Sequence, residues 1–342
     1  MSLYILGDIH FSASRPWRLP LGDAFLTWLQ NISYIDSKKD ELLILGDLSD
    51  DAVNPGKVVR QLETLATICS GKFRATWILK GNHDEKLYKG SPQLSFEFLG
   101  LKNSFSILET PAEVVDLCGL KTLSLPFYGY RTDLPSLWEH YASLPKDISS
   151  QNFDLIIGHF ANTSAAVFES QVNLTYLKSQ LIALGHVHTR VSQDYLGSVF
   201  PCKISENSSP FPRAMWKVDK EGSKVIKIEI PLPIFCEYKF ATYPAPLPTT
   251  PPNIVTIWTI ANCEVEAIAK THYPEAFIRG VASDFTRKTD KGAVVSDSDF
   301  HIKDYCELFD NWIKESKVTV SRPAAKLVKQ LLSPAQNANA TN

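Results

Sequence analysis

The sequence predicts an α/β protein: a layered domain of sheets and helices followed by a smaller unit. Three observations carry that expectation. Short apolar runs alternate with helix-length amphipathic stretches through the first two hundred residues. Several of those runs end in a glycine beside an aspartate, asparagine or histidine. A proline-dense stretch then separates them from a shorter second alternation of strand and helix patterns.

Residues 3–6 are uniformly apolar and too few for a helix, so they read as a buried strand. Residues 23–32 place Phe25, Leu26, Leu29 and Ile32 on one helical face. Residues 42–45 repeat the strand pattern, and 58–68 repeat the helical one with Val58, Leu62, Leu65 and Ile68. Residues 76–79, 155–157 and 181–184 are further short apolar runs. Strands alternating with helices imply sheets covered by helices. After Gly185 the texture becomes β-rich at 190–195, 214–218 and 224–230, an antiparallel section closing the first domain.

The first domain is expected at 1–230. Seven prolines fall between 231 and 252, which excludes a helix and predicts an extended linker. A small α/β unit follows at 253–298, with a strand at 254–260, a helix around 264–271, a strand at 276–281 and a polar loop at 283–299. Residues 302–315 and 324–332 read as amphipathic helices within a C-terminal helical segment, 299–332, and 333–342 as a disordered tail.

Apolar residues make up 44% of the 342 and charged residues 21%, the balance of a globular chain. The net charge of -2 carries no global signal for nucleic acid, whose binding needs only a local patch. The cysteines, at 69, 118, 202, 236, 263 and 306, show no Cys-x-x-Cys spacing. They read as small buried hydrophobes in a reducing compartment, not a disulfide framework. With no run near the roughly 18 apolar residues of a membrane span, the protein is expected in the cytoplasm, the host's if it is viral.

The chemistry lies in position. Five of the eight histidines follow apolar runs, in Gly7-Asp8-Ile9-His10, Gly81-Asn82-His83-Asp84, Gly158-His159 and Gly185-His186-Val187-His188. Gly46-Asp47-Leu48-Ser49-Asp50 has the same form without a histidine. Strand ends are where loops converge and ligands bind in α/β sheets. Asp, Asn and His offer the oxygen and imidazole donors that suit manganese, iron, zinc or magnesium. In Asp8-x-His10 and His186-x-His188, residues two apart on an extended segment point the same way.

These motifs, in this order across residues 7–188, resemble the calcineurin-like metallophosphoesterases. The resemblance implies a four-layer fold, two mixed sheets between helices, with a pair of cations at one edge. In the family pattern Asp8, His10 and His188 hold one cation, Asn82, His159 and His186 hold the other, and Asp47 bridges them. The cofactors implied are two divalent ions, manganese first, with magnesium, iron or zinc as alternatives. A water activated between them attacks phosphorus in line. His83 carries no cation in that pattern and would act as general acid. Asp50 would orient His83 through a hydrogen bond, or cap the following helix, or simply be solvated; Asp84 is read as structural.

The run Tyr195-Leu196-Gly197-Ser198 through Ser205-Glu206 resembles the SbcD-type recombination and repair nucleases. The overall layout is similar to bacteriophage recombination endonuclease subunits. The chain departs from the subfamily at Val199, where proline is usual, and Ser49, where phenylalanine is usual. The resemblance implies a DNA substrate, a capping unit after the linker, an SbcC-type coiled-coil ATPase partner and a possible homodimer. Leu308, Phe309, Trp312 and Ile313 form an apolar stripe for such docking or for packing on their own domain. Lys314, Lys317, Arg322, Lys326 and Lys329 are solvated or touch phosphates. Tyr128, Tyr130 and Arg131 are candidates to stack on bases or meet phosphate. The alternatives are a stand-alone phosphodiesterase or phosphatase on nucleotides and small esters, or a scaffold that lost catalysis; the complete ligand pattern with His83 disfavours the last.

Overall fold

The computed structural model describes residues 1–14, 18–50, 56–88, 91–94, 104–129, 136–162, 172–189, 192–202, 206, 213–220, 224–232, 234–240, 254–260 and 277–279. The chain divides into two compact units. The first comprises 1–238, 245–258 and 270–277, and the second 239–244, 259–269 and 278–342.

In chain order the first unit begins with β1 (Ser2–Leu6), α1 (Arg18–Asn31), β2 (Glu41–Ile44), α2 (Gly56–Lys72) and β3 (Ala75–Leu79). β1, β2 and β3 pair in parallel, and parallel neighbours need a crossover, which α1 and α2 supply. Next come β4 (Glu85–Tyr88) and β5 (Ser91–Leu94), an antiparallel pair, then β6 (Ser106–Leu108), which joins β3 in parallel. β7 (Glu113–Leu117) and β8 (Leu120–Leu125) pair antiparallel around the turn at Cys118-Gly119. After α3 (Leu137–Ala142) and α4 (Lys146–Ser149), β9 (Asn152–His159) and β10 (Lys178–Gly185) run parallel to each other. β11 (Ala214–Asp219) and β12 (Val225–Glu229) return antiparallel beside β1.

Two mixed sheets result, of order β12-β11-β1-β2-β3-β6 and β10-β9-β8-β7. Their stacking follows from the period of two along each strand. In β1, Leu3 and Ile5 face one way, into a cluster with Leu43 of β2, Leu155 and Ile157 of β9 and Ala183 of β10. Tyr4 and Leu6 face the other way, into a cluster with Phe25 and Leu29 of α1 and Leu62 and Leu65 of α2. Leu123 and Ile156 of the second sheet pack outward on Leu137 and Tyr141 of α3. The layers are therefore helix, sheet, sheet, helix. Each fully buried side chain of this kind contributes roughly 1.5–3 kcal/mol.

Local signals explain the helices. α1 tolerates Pro20 because it falls in the first turn, where main-chain N–H groups have no helical partner. α3 opens with a capping box: the Ser136 hydroxyl accepts from the Glu139 N–H, and the Glu139 carboxylate accepts from the Ser136 N–H. α1 and α2 pack closely enough for buried Gln61 to donate to the Leu19 carbonyl and the Asp23 carboxylate, both at 2.8 Å.

The expected α/β class and its sheets between helices are present. Differences lie in detail. The segment 85–125 contributes β4 to β8, none of which periodicity marks. The described part of 190–195 forms no strand; Tyr195 makes only an isolated bridge to Leu184. Within the expected linker 231–252, the proline-free residues 234–240 form a strand, β13 (Ile234–Phe240). It lies in a three-stranded sheet, in the order β13-β14-β15, with β14 (Ile254–Ile260) and β15 (Phe277–Arg279). The expected helices at 264–271, 302–315 and 324–332 lie outside the described residues, as do the loop at 283–299 and the tail. Among the described residues no helix is long and apolar enough to cross a membrane.

Candidate metal centre

Parallel strands deliver their C-terminal ends to one edge. The loop after β1 carries Asp8 and His10, that after β2 carries Asp47 and Asp50, and that after β3 carries Asn82, His83 and Asp84. His159 ends β9, and His186 and His188 follow β10. Main-chain bonds lock the first two loops together, with the His10 and Phe11 N–H groups donating to the Asp47 and Leu48 carbonyls at 2.7 and 2.8 Å.

Three of these donors stand on left-handed backbone: His10 at φ 54°, Asp47 at 49° and His186 at 76°. Non-glycine residues avoid that region, and the strain concentrates where function over-determines geometry. Glycines make the close approach possible. A Cβ at Gly81 would lie 2.2 Å from Asp47 Oδ1, and one at Gly185 would lie 2.5 Å from Asp8 Oδ1.

The side chains form two groups about one carboxylate. On one side, His10 Nε2 and His188 Nε2 each lie 3.9 Å from Asp8 Oδ2. On the other, Asn82 Oδ1 sits 3.0 Å from His159 Nε2 and 2.9 Å from His186 Nδ1. Asp47 Oδ2 lies between them, 3.4 Å from His10 Nε2 and 3.2 Å from His159 Nε2.

Acceptors outside the cluster aim the rings. His10 Nδ1 meets the Asp50 carboxylate at 2.5 Å, His159 Nδ1 meets the Leu45 carbonyl at 2.6 Å, and His188 Nδ1 meets Glu206 at 3.1 Å. A carbonyl or carboxylate there accepts a hydrogen bond from Nδ1–H and turns Nε2 inward, as ligating histidines require. Asp84 fixes the loops: its carboxylate accepts from the Asp47, Leu48 and Gly81 N–H groups at 2.8 to 2.9 Å.

The electrostatics are those of crowded, buried charge. Burial would raise the Asp47 carboxyl, yet the charge of His159 and its hydrogen bond, with help from His10 and His83, hold it far below the usual range. Asp8 moves the other way, raised by burial and by Asp47 beyond what His159 offsets. Burial also favours neutral His10 and His159, but the surrounding anions win and push both up to about 9. For His10 the raising neighbours are Cys202, Asp50 and Asp47; for His159 they are Asp47 and Asp8. His186 is held down to about 3 by burial and by the charge of His159. Asp84 is pushed up to about 6, by burial and then by Asp47.

Whether these residues fit divalent cations is tested by an orphaned atom. His10 is 1% exposed, and its buried Nε2 has no hydrogen-bond partner. An unpaired buried nitrogen costs about 1–3 kcal/mol. Donor atoms of Asp8, His10, Asp47 and His188 lie within 4.8 Å of one another, so one ion would satisfy that nitrogen and both carboxylates. The His/Asp cluster fits a metal site. It opens onto a cavity of about 290 Å³ lined by Asp47, Asn82, His83, His186, His188 and Glu206, among others.

The structure thus gathers Asp8, His10, Asp47, Asn82, His159, His186 and His188, with His83 beside His10 at a ring separation of 5.0 Å. Asp50 departs from expectation. Its carboxylate is taken by His10 and by Arg18, and it meets His83 through its main-chain carbonyl, 3.2 Å from His83 Nδ1. The reason is Arg18, a buried cation whose guanidinium also donates to the His10 carbonyl at 2.8 Å and draws the Asp50 carboxylate that way. Tyr128 is buried at 3% exposure with its hydroxyl turned towards the Ser136 carbonyl, so it presents no stacking face. Tyr130 and Arg131 lie outside the described residues. Cys69 and Cys118 are buried as small hydrophobes, whereas partly exposed Cys202 sits beside His10 and His188. Burial would raise its thiol, but the charges of His10 and His188 hold it below the ordinary value.

Sequence reasoning missed Arg18, Glu206 as the His188 partner, and Cys202. Arg18 opens an amphipathic helix eight residues after His10, a spacing that carries no signal. Glu206 stands in the run 195–206, whose resemblance to the nucleases was the available clue.

No curated protein matches the chain. Among solved structures, a protein of unknown function, AQ665 from Aquifex aeolicus, is similar at 15% identity and a TM-score of 0.29, over 52% of this chain and 87% of that one. The family model of calcineurin-like phosphoesterases matches residues 1–190, the segment that contains every donor described above. That match spans more than half of the sequence, and the chain belongs to the calcineurin-like phosphoesterase family.

Proposed function

We propose that this metal-dependent phosphoester hydrolase is the DNA-cleaving subunit of a recombination and repair complex, acting on phosphodiester bonds with an SbcC-type ATPase as its partner. The observation that carries the hydrolytic half is Asp47 Oδ2, set 3.4 Å from one histidine group and 3.2 Å from the other. Support for DNA comes from the run 195–206 and from the chain beyond residue 230, more than a minimal phosphatase needs.

Asp8, His10 and His188 would hold one divalent cation, Asn82, His159 and His186 a second, with Asp47 between them. Manganese is the ion we expect for the oxygen and imidazole donors taken by themselves. When bound, such a pair polarises the phosphoryl group and lowers the pKa of water. The protein's own part is orientation and proton supply. Asp50, Leu45 and Glu206 fix the imidazoles, so little reorganisation is needed on binding. His83 lines the cavity with Nδ1 on the Asp50 carbonyl and its main-chain N–H on Asp47 Oδ1 at 2.7 Å. Its other ring nitrogen would protonate the leaving oxygen.

The test is a substrate panel in manganese, with and without a candidate ATPase and ATP. Cleavage of duplex ends or single strands, lost in Asp47→Ala, is the expected result. Hydrolysis confined to cyclic nucleotides or aryl phosphates would replace the nuclease reading by a stand-alone phosphodiesterase.

A further inference from the structure

We propose that the Cys202 thiolate is a protein ligand to the cation held by His10 and His188, which makes that half of the centre a mixed sulfur, nitrogen and oxygen site. The inference rests on the cluster holding cations at all. Sγ of Cys202 and ring nitrogens of His10 and His188 lie within 4.8 Å of one another. Donors at such separations can close on one ion with small side-chain rotations. Cys202 is not an isolated thiol: it shares both histidines with the Asp8, His10, Asp47, His188 group.

An independent observation points to a ligand at the same place. His10 is buried, and its Nε2, 3.4 Å from Asp47 Oδ2 and 3.9 Å from Asp8 Oδ2, lacks a hydrogen-bond partner. The same imidazole offers a ring nitrogen within 4.8 Å of the thiol.

The thiol is held there. Glu206 accepts from the Cys202 N–H at 2.7 Å with one carboxylate oxygen and engages His188 Nδ1 at 3.1 Å with the other. One buried carboxylate therefore fixes both the cysteine backbone and the neighbouring imidazole. Arg213 holds the Glu206 carbonyl at 3.1 Å, extending the brace. The contact of Sγ with main chain is long, 3.8 Å to the Phe200 carbonyl. The thiol's side-chain hydrogen-bond partner is His188, itself one of the histidines that would share the ion.

The consequence is selectivity. Thiolate is a soft donor, and adding it to oxygen and imidazole favours zinc, cobalt or iron over magnesium and manganese. The two halves of the centre would then differ in the ion they prefer, because Asn82, His159 and His186 bring no sulfur.

Cobalt(II) added to the full chain tests this without a catalytic assay. The wild type should show visible cobalt bands together with a near-ultraviolet thiolate-to-cobalt charge-transfer band. Cys202→Ser should keep the visible bands, lose the charge-transfer band, and lose preference for zinc over manganese by about tenfold or more, at least what removing an outer partner of a ligand costs. Cobalt-edge X-ray absorption on the wild type alone decides the matter even if the variant misfolds: sulfur at about 2.3 Å, the zinc–thiolate length, is expected. Visible bands without sulfur in the first shell, or a charge-transfer band that survives in Cys202→Ser, would overturn the thiolate ligand while leaving the cation centre standing. Failure of the wild type to bind cobalt would remove both.

Discussion

Asp50→Asn separates two roles that a single carboxylate might play. The Asp50 carboxylate accepts from His10 Nδ1 at 2.5 Å and from buried Arg18, while His83 rests on the Asp50 carbonyl, which the substitution keeps. Asparagine preserves shape and one acceptor oxygen but removes the charge. Hydrogen bonds to charged groups contribute about 1.5–3 kcal/mol, and that is the expected loss of stability in the cation-free protein. The remaining oxygen goes to buried Arg18, which can only donate, and leaves the amide NH2 facing His10 Nδ1. His10 loses the partner that fixes its tautomer, so affinity for the ion on its side should fall about 10–100-fold. The assays are denaturant unfolding of the cation-free chain and calorimetric titration with manganese, which should resolve one weakened and one intact site. The His83 ring keeps its contact with the Asp50 carbonyl, so the change falls on His10 and Arg18. Cation affinity unchanged within about twofold would mean that the carboxylate does not hold His10, and would refute the geometry.

His83→Ala should lower turnover by about 10²–10⁴, the usual worth of a positioned acid, with both cations still bound by calorimetry. Cation binding should release protons: His10 and His159, raised to about 9, hold theirs at neutral pH in the empty site, so affinity should rise from pH 6 to pH 9. Titrations in buffers of different ionisation enthalpy count those protons, and no release at pH 7 would contradict the raised values. For the same reason the stability these two histidines lend the cation-free fold is complete below their ordinary 6.5 and fades as pH rises through about 9, visible as a falling midpoint in urea. Gly185→Ala sets a methyl 2.5 Å from both Asp8 Oδ1 and the Leu45 carbonyl. Overpacking of that kind costs about 1–3 kcal/mol, so melting should fall and cation binding weaken together.

Much of this centre was legible because the relevant rules are local. Apolar runs of four or five residues give β1, β2 and β3, and the donors follow them because chain direction is shared across a parallel sheet. The spacing of Phe25, Leu26 and Leu29 gives α1 for the same reason. The unreadable parts depend on direction and distance in space. β7, Glu113–Leu117, has exposed Val114 and a charged Asp116, and only its pairing with β8 makes it a strand. The spacing of Asp47 and Asp50 cannot say whether the second carboxylate turns to His83 or to His10; Arg18, brought in by the start of α1, decides. Cys202 looked like any other scattered cysteine because its two histidine neighbours are far away in sequence.

Asp84 touches nothing that reacts, yet three main-chain amides from two separate loops depend on it. Its replacement would let both loops relax and scatter donors that belong to different strands. In a screen scored only by turnover, such a variant would be indistinguishable from the loss of a reacting group. The boundary between chemistry and architecture in this protein therefore cannot be drawn by activity alone; with the roles proposed for Asn82 and His83, it falls inside the Gly-Asn-His-Asp tetrapeptide, between its third and fourth residues.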